Sequence, residues 1–193
     1  MKEFVLATRN RHKGEELASL LGDIGRRIRT LAEFPASPEV EEDGETCEAN
    51  AIKKAVEIAR ATGMTAVADD TGLEVDALGG RPGVFAARYA GEQATYEDNC
   101  RKLLQELAGI PYERRTARFL TVAAVASPDG DVQTTCGVLE GLITEACSGD
   151  RGFGYDPVFY VPELGKTLAE LTSEEKNRVS HRAKAFLKLR DLL

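Results

Sequence analysis

The alternation of apolar and polar stretches predicts an α/β protein in which strands and helices follow one another. A continuous apolar run within residues 2–8 predicts a first strand that is covered on both faces. Leucines at helical spacing then predict a helix that ends at Gly22. Small and apolar side chains recur on one face of residues 46–62, which predicts a second helix that ends at Gly63. The apolar run at residues 65–68 predicts a short buried strand that ends at two aspartates.

The second half of the chain predicts antiparallel pairing. Two β-type runs, residues 116–126 and 132–144, are separated by an Asp-Gly pair, which is a hairpin signal. A helix is predicted to begin near Thr95, and two helical segments are predicted to begin at the capping residues Thr172 and Ser180. Together with the strand-helix units of the first half, the hairpin predicts a mixed central sheet flanked by helices.

Length and charge narrow the classes of function. A chain of 193 residues predicts one domain, residues 1–193, and no apolar run approaches the roughly 20 residues of a membrane span. The first apolar run is followed at once by polar residues, which favours a strand over a signal peptide and predicts a cytoplasmic protein with no membrane partner. A net charge of -7 disfavours a nucleic-acid binder. An anionic ligand would therefore need a local basic pocket.

The cysteines indicate neither a zinc site nor a disulfide framework. Cys47, Cys100, Cys136 and Cys147 form no CxxC pair and are accompanied by only two histidines. We expect them to be small buried apolar residues.

Two adjacent carboxylates, Asp69 and Asp70, stand at the centre of the pattern and are followed by Thr71 and Gly72. On an extended strand their side chains point to opposite faces, so only one of them faces a given cleft. Nearby carboxylates are typical of a divalent cation site or of a group that accepts a proton. Asp, Thr and Gly also form turns, so these residues alone leave a simple turn equally open.

The polar turn after the first strand suits a phosphate group. Thr8, Asn10 and Lys13 lie between the strand and the helix, where backbone N–H groups and the positive end of the helix dipole meet. The paired glycines of a Walker loop are absent. The alternative is that Asn10 caps the helix and Lys13 is solvated.

An acidic loop, residues 37–45, precedes the second helix. In a functional interpretation, Glu41 or a neighbour is a metal partner of the aspartates and Lys53 contacts phosphate. Mg²⁺ suits this arrangement, because it takes one or two carboxylates and completes its octahedron with water and substrate phosphates. The alternative is a loop that merely faces water.

Two later segments allow similar pairs of interpretations. Aromatic residues interleaved with glycine and a carboxylate in residues 152–160 could bind a flat heterocycle, or could fill a core. His181 and Arg182 fall in the first turn of the last helix, where positive charge opposes the helix dipole. An anionic ligand would compensate this charge, although a capped structural histidine is also possible.

Taken in order, these motifs form one pattern. The motifs are Thr8-x-Asn10-x-x-Lys13, the acidic loop before Asn50-Ala51, Ala68-Asp69-Asp70-Thr71-Gly72-Leu73, Gly79-Gly80-x-Pro82-Gly83, Phe153-Gly154-Tyr155-Asp156-Pro157, Glu175-Lys176 and Ser180-His181-Arg182. They stand in the order seen in the inosine and xanthosine triphosphate pyrophosphatases. The chain resembles that family over nearly its whole length. The resemblance implies an elongated two-lobed α/β protein with its active site in a cleft between the lobes, and a homodimer. It also implies hydrolysis of non-standard purine nucleoside triphosphates (ITP, dITP, XTP) to the monophosphate and pyrophosphate with Mg²⁺, which would cleanse the nucleotide pool.

The resemblance also implies roles for individual residues. Asp70 would accept the proton of the attacking water, and Glu41 and Asp70 would hold the metal, although the acidic run leaves the choice between Glu41 and Glu42 open. Phosphate and nucleotide contacts would come from Thr8, Arg9, Asn10, Arg11, His12, Lys13, Thr71, Phe153, Gly154, Tyr155, Asp156, Lys176, His181 and Arg182. Thr71 stands where the family often has serine, and the hydroxyl is kept.

Three other hypotheses stay open from the sequence. The chain could bind a triphosphate without hydrolysing it, or could act on modified pyrimidine or ordinary triphosphates. A nucleic-acid binder is the least favoured hypothesis because of the net charge.

Overall fold

Strands and helices alternate along residues 3–22 and 25–193, the part of the chain that the computed structural model describes. The strands and helices, in chain order, are β1 (Glu3–Leu6), α1 (Arg11–Leu21), β2 (Arg27–Thr30), α2 (Cys47–Thr62), β3 (Ala66–Val75), β4 (Pro82–Gly83), α3 (Tyr96–Glu106), β5 (Thr116–Ala126), β6 (Val132–Ile143), β7 (Phe159–Val161), β8 (Lys166–Thr167), α4 (Ser173–Val179) and α5 (His181–Arg190). None of the helices within the described residues has the length and apolar character that a membrane crossing requires.

The strands form one mixed sheet. Their order is β2-β1-β3-β5-β6-β7-β8, and β4 pairs with β3. β1 runs parallel to β2 and to β3, whereas β3 and β4, β6 and β7, and β7 and β8 pair antiparallel. The prediction of an α/β protein with a mixed sheet and flanking helices is therefore confirmed.

The chain divides into two compact units. The first contains Met1–Asp70, Thr121–Gly137 and His181–Leu193, and the second contains Thr71–Leu120 and Val138–Ser180. Each has its own apolar core: the first includes Phe4, Leu17, Val67 and Phe186, and the second includes Leu73, Leu103, Phe119 and Phe159. The assignment of residues 1–193 to one domain, and the elongated form with a cleft, stay predictions.

Local signals explain the helices of the first unit. The Asn10 side chain accepts a hydrogen bond from the backbone N–H of Lys13, and α1 begins immediately after Asn10. Thr46 caps α2 in the same way, and Gly63 ends it with a φ of 66° that favours glycine. Both predicted helices are confirmed. The first strand is shorter than the predicted residues 2–8, since β1 covers Glu3–Leu6, and Lys2 lies outside the described residues.

The strand that carries the aspartates is longer than predicted. A strand ending at residue 68 is wrong, because β3 continues through Asp69 and Asp70 to Val75, ten residues in all. The alternative of a simple turn is wrong for the same reason. Basic side chains from neighbouring helices pair with both carboxylates, which allows an extended strand to bury them.

The remaining local predictions have mixed outcomes. α3 begins after Thr95 as predicted, with a capping box formed by Thr95 and Asp98, and β5 and β6 are neighbours joined by a short turn. Cys47 and Cys100 are buried as predicted, and all four cysteines are free. Burial is wrong for Cys136 and Cys147, which are exposed.

Candidate functional site

Asp69 and Asp70 contact different helices of the first unit. Adjacent residues of a strand point to opposite faces, and β3 therefore presents Asp69 to α1 and α5 and Asp70 to α2. Both side chains are buried, with 2% and 4% of the residue exposed. The same two residues thus have separate sets of partners.

Asp69 is held as a carboxylate by two cations. Its Oδ2 lies 3.3 Å from Nζ of Lys13 and 3.3 Å from Nε of Arg182. Burial raises the pKa of Asp69, but the charges of Lys13 and Arg182 outweigh this effect and hold the pKa below its ordinary value. Asp69 is therefore ionised at neutral pH and serves to fix two basic side chains.

The pKa of Asp70 is shifted in the opposite direction. Nδ2 of Asn50 donates to Oδ2 of Asp70 at 3.2 Å, and Nζ of Lys54 lies 3.4 Å from Oδ1. Burial raises the pKa of Asp70 above its ordinary value, although the charges of Lys54 and Lys13 oppose this shift. Two adjacent carboxylates whose pKa values are pushed apart are typical of a site for proton transfer. Asp70 is the one suited to accept a proton.

Lys54 joins Asp70 to the acidic loop. Its Nζ lies 2.7 Å from Oε1 of Glu42, so one ammonium group is shared by Glu42 and Asp70. Glu41, the neighbour preferred from the sequence, is exposed. The geometry therefore favours Glu42 as the carboxylate that acts with Asp70, and a metal-binding role for Glu41 stays a prediction.

The donors around Asp70 fit a magnesium site that is completed by other ligands. Glu42 and Asp70 already lie close enough to share one cation, and carboxylate oxygens are the donors that Mg²⁺ prefers. Within residues 3–22 and 25–193, no group of three or more His, Cys, Asp or Glu side chains could hold a metal ion. Mg²⁺ needs only one or two carboxylates when water and phosphate oxygens supply the remaining positions.

One face of α2 supplies the partners of Asp70, and the sequence contained a signal for it. Burial and the nearby negative charge of Asp70 raise the pKa of Cys47 to about 12, so it stays a thiol. Lys54, seven residues later, falls on the same buried face. Lys53, one position earlier, instead places Nζ 2.7 Å from Oδ1 of Asp43. Lys54 was missed in the sequence analysis, although a lysine on the buried face of a predicted helix could have indicated it. The phosphate contact of Lys53 stays a prediction.

The turn between β1 and α1 forms a capped helix start. The backbone N–H of Asn10 donates to Oγ1 of Thr8 at 3.2 Å, while the Asn10 side chain caps the helix. The alternative of a solvated Lys13 is wrong, because its side chain is 17% exposed and paired with Asp69. Thr8 and Lys13 therefore lie beside the N-terminus of α1, as a phosphate site requires.

The other basic residues of this turn lie at the surface. Arg9 donates to the backbone carbonyl of Ser37 at 2.9 Å, and Arg11 pairs with Glu15 at 2.8 Å. His12 is exposed. Their phosphate contacts stay predictions.

His181 and Arg182 are buried in the first unit at the start of α5. Nδ1 of His181 lies 2.6 Å from Oγ1 of Thr121 in a hydrogen bond. Arg182 pairs with Asp69 and with Glu16. Asp69 and Glu16 therefore compensate the positive charge at the start of α5, for which a ligand was predicted. Contacts of His181 and Arg182 with a nucleotide stay predictions.

The second unit brings together three of the other predicted residues. Oδ2 of Asp156 accepts hydrogen bonds from the backbone N–H of Phe153 at 2.8 Å and from Nζ of Lys176 at 2.7 Å. That ammonium group lies 5.0 Å from the centre of the Phe153 ring. Asp156 therefore orients an aromatic ring and a cation next to each other.

Tyr155, Gly154 and Thr71 have other surroundings within the second unit. The Tyr155 hydroxyl donates to the carbonyl of Ala86 at 2.8 Å and the ring is buried, which favours the core interpretation for Tyr155. Gly154 adopts a φ of 64° with open space around it, and Thr71 is half-buried. Nucleotide contacts of these residues stay predictions.

Comparisons with known proteins agree over the full length. The model of the Ham1 family matches residues 4–192. The dITP/XTP pyrophosphatase of Desulforamulus reducens is 52% identical over 191 residues, covering 99% of this chain and 95% of that protein. The dITP/XTP pyrophosphatase of Bacillus subtilis is 50% identical over 193 residues, covering 100% of this chain and 98% of that protein.

Solved structures show the same fold. A HAM1 protein from Coxiella burnetii superimposes with a TM-score of 0.90 at 41% identity and covers 100% of this chain and 98% of its own. The Staphylococcus aureus Ham1 protein gives a TM-score of 0.87 at 40% identity, covering 99% and 97%. Sequence and fold agree along nearly all of the chain, and the chain therefore belongs to the Ham1 family.

Proposed function

We propose that this protein hydrolyses non-standard purine nucleoside triphosphates, namely ITP, dITP and XTP, to the nucleoside monophosphate and pyrophosphate. The observation that carries the proposal is the arrangement around Asp69 and Asp70 on one strand: Asp69 holds Lys13 and Arg182, and Asp70 shares the Lys54 ammonium group with Glu42. The full-length similarity to proteins named dITP/XTP pyrophosphatases supports the choice of substrate.

Asp70 is the proton acceptor in the proposed reaction. The oxygen of a water molecule bonds to a phosphorus atom beside the α–β bridging oxygen, and the proton of the water passes to a carboxylate oxygen of Asp70. The bond from that phosphorus atom to the bridging oxygen breaks, which gives the monophosphate and pyrophosphate. Burial favours the protonated form of Asp70, which suits a group that accepts a proton. Asn50 and Lys54 hold the two oxygens of Asp70 in position, and no covalent intermediate is required.

The basic groups around the carboxylates receive the phosphates in this proposal. Lys13 and the N-terminus of α1 supply fixed positive potential, which stabilises the negative charge that develops during transfer. Asp70 and Glu42 would hold Mg²⁺, and the bound ion would neutralise phosphate charge. The Lys54 ammonium group supplies positive charge to the same two carboxylates.

We assign recognition of the base to Phe153 and Lys176. An aromatic face with an adjacent ammonium group suits a flat ring that carries a 6-oxo group, because the ring stacks and the oxygen accepts a hydrogen bond. Adenine has an amino group at that position, which leaves such a donor unpaired and disfavours ATP. The similarity to the dITP/XTP pyrophosphatases supports this assignment.

We also propose a homodimer in the cytoplasm that removes these nucleotides before they are incorporated into DNA or RNA. The substrate class supports the cytoplasmic location, since nucleoside triphosphates are intracellular metabolites. Size-exclusion chromatography with light scattering tests the dimer directly: the chain has a mass of 20.9 kDa, and a dimer has twice this mass.

Product analysis tests the reaction. Purified protein is incubated with Mg²⁺ and ITP, dITP, XTP, GTP, ATP or dTTP, and nucleotides, pyrophosphate and orthophosphate are quantified separately. We expect monophosphate and pyrophosphate from the first three substrates and little product from GTP or ATP. Orthophosphate with a diphosphate would show cleavage at the γ-phosphate and contradict the proposal. Binding without any product would identify a nucleotide-binding protein instead.

A further inference from the structure

One buried side chain, Asn50, connects Asp70 to the acidic loop. Only 2% of Asn50 is exposed. Its Nδ2 donates to Oδ2 of Asp70 at 3.2 Å, while its Oδ1 accepts from the backbone N–H of Gly44 at 2.8 Å. A carboxylate requires a donor and an N–H group requires an acceptor, so the two partners together determine which way the amide points.

Gly44 brings the acidic loop close to the start of α2. A Cβ atom at this position would lie 2.7 Å from Oδ1 of Asn50 and 2.9 Å from Cβ of Ala49. Real side chains do not tolerate such distances, so the loop can approach the helix only with glycine here. Two residues before Gly44, Glu42 reaches the Lys54 ammonium group. The hydrogen bond from Gly44 to Asn50 therefore anchors the segment that carries Glu42.

The second unit contains an asparagine in a matched position. Asn99 is the fourth residue of α3 as Asn50 is of α2, is also 2% exposed, and accepts from a backbone N–H of the preceding loop, that of Ala90, at 2.7 Å. The two asparagines differ in the group to which Nδ2 donates. Nδ2 of Asn99 donates to the backbone carbonyl of Ala87 at 3.0 Å, whereas Nδ2 of Asn50 donates to Asp70. Anchoring of a loop is the shared task, and contact with a carboxylate is particular to Asn50.

We infer that Asn50 is a positioning residue for the hydrolysis: it holds the Asp70 carboxylate in one orientation and keeps Glu42 in place relative to it. This inference rests on the proposed function. A donor fixed on Oδ2 restricts rotation of the carboxylate, and Lys54 lies at the other oxygen, Oδ1. Asn50 is buried and its amide is already engaged at both ends, so it acts on turnover and not on substrate affinity.

Kinetics of three variants test the inference. In Asn50→Ala, kcat falls by about 10- to 100-fold, as for loss of a group that orients a reacting one, while KM stays within about threefold. Asn50→Asp keeps the acceptor for Gly44 but replaces the donor to Asp70 by a second buried carboxylate, so both kcat and thermal stability fall. Asn99→Ala is the matched control: it loses thermal stability as Asn50→Ala does, and kcat per folded molecule is unchanged. Circular dichroism and thermal unfolding establish the folded fraction of each variant.

Two results would overturn the inference about Asn50 and leave the proposed function intact. One is an active wild-type enzyme whose kcat is unchanged in Asn50→Ala; the other is an equal fall of kcat in Asn99→Ala. A wild-type protein that hydrolyses none of the triphosphates overturns the proposed function and this inference with it.

A spectroscopic measurement adds a readout that does not depend on turnover. The side-chain amide signals of Asn50 are followed by ¹H–¹⁵N NMR in the full chain, with and without the substitution Asp70→Asn. We expect the Asn50 signals to shift and those of Asn99 to stay in place, because a charged acceptor is replaced by a neutral one only at Asn50. Unmoved Asn50 signals would overturn the inference.

Discussion

Replacing Asp69 by asparagine takes away the carboxylate that Lys13 and Arg182 share. The side chains of Asp69 and Arg182 are almost fully buried, and both cations lie 3.3 Å from the same oxygen. Asparagine has nearly the same shape, so the change removes charge and leaves the packing intact. The expected loss of stability therefore reports the electrostatic contribution of this ion pair.

The structure determines the size of the effect. Removal of one partner of a buried ion pair costs about 3–5 kcal/mol, because the other charge is left in a medium that solvates it poorly. Arg182 keeps its contact with Glu16, and the Lys13 side chain reaches water, being 17% exposed. We therefore expect the lower end, about 3 kcal/mol. For a protein of this length, that corresponds to a fall in Tm of about 6–12 °C.

The effect has a defined dependence on pH. The pKa of Asp69 is lower in the folded protein than its ordinary value of about 3.9 in an unfolded chain. A lowered pKa contributes stability that is complete above the unfolded value and is lost as the pH falls through the folded value. The difference in the free energy of unfolding between wild type and Asp69→Asn should be constant from about pH 8 to pH 5 and should become smaller below about pH 4.

Urea and thermal unfolding measure this difference in the free energy of unfolding. Circular dichroism follows the unfolding, because the chain has no tryptophan for fluorescence. Asp43→Asn is the matched control within the same unit. Asp43 pairs with Lys53 at 2.7 Å, but its side chain is 59% exposed, so its loss should cost less than about 1 kcal/mol. The reasoning is refuted if Asp69→Asn costs no more than this control, or if the difference stays constant down to pH 3.

Three further predictions concern turnover. Asp70→Asn should lower kcat by about 10²–10⁴-fold, as for loss of a general base. The free energy of unfolding of this variant at pH 7 should be unchanged or higher, because the raised pKa means that ionised Asp70 is disfavoured in the folded state. Pyrophosphate release measures kcat and thermal unfolding measures stability. A near-normal kcat would contradict the assignment of Asp70 as the proton acceptor. Glu42→Gln should raise the Mg²⁺ concentration needed for half-maximal activity more than Glu41→Gln does, and the reverse order would restore Glu41 as the ligand. Lys54→Met should lower kcat more than Lys53→Met, since Lys54 is the lysine beside Asp70; equal losses in steady-state assays would contradict this.

The helix boundaries were predictable because their signals are local. Asn10 and Thr46 accept hydrogen bonds from backbone N–H groups three residues ahead, and Gly63 adopts the left-handed conformation at a helix end. Each signal acts within one helical turn and needs no information about the remainder of the chain. The buried faces of the helices follow in the same way from a period of 3.6 residues.

The strand through Asp69 and Asp70 was not predictable by the same means. Adjacent aspartates favour turns when only their neighbours are considered. Their neutralising partners include Lys13 and Arg182, which are 56 and 113 residues away from Asp69 along the chain. Only the tertiary structure places these charges beside the strand, and their presence removes the penalty for burying carboxylates in an extended segment.

The sequence by itself determined the helix ends, the mixed sheet and the set of chemical groups, because caps, periodicity and motif order are properties of the chain. The tertiary structure decided which members of that set meet. It placed Lys54 rather than Lys53 beside Asp70, and Glu42 rather than Glu41 beside Lys54. Neighbouring residues in a helix differ in direction by about 100°, so a shift of one position separates a buried partner from a surface residue. The packing of α2 and the acidic loop against β3 determines which of two neighbouring residues becomes the buried partner.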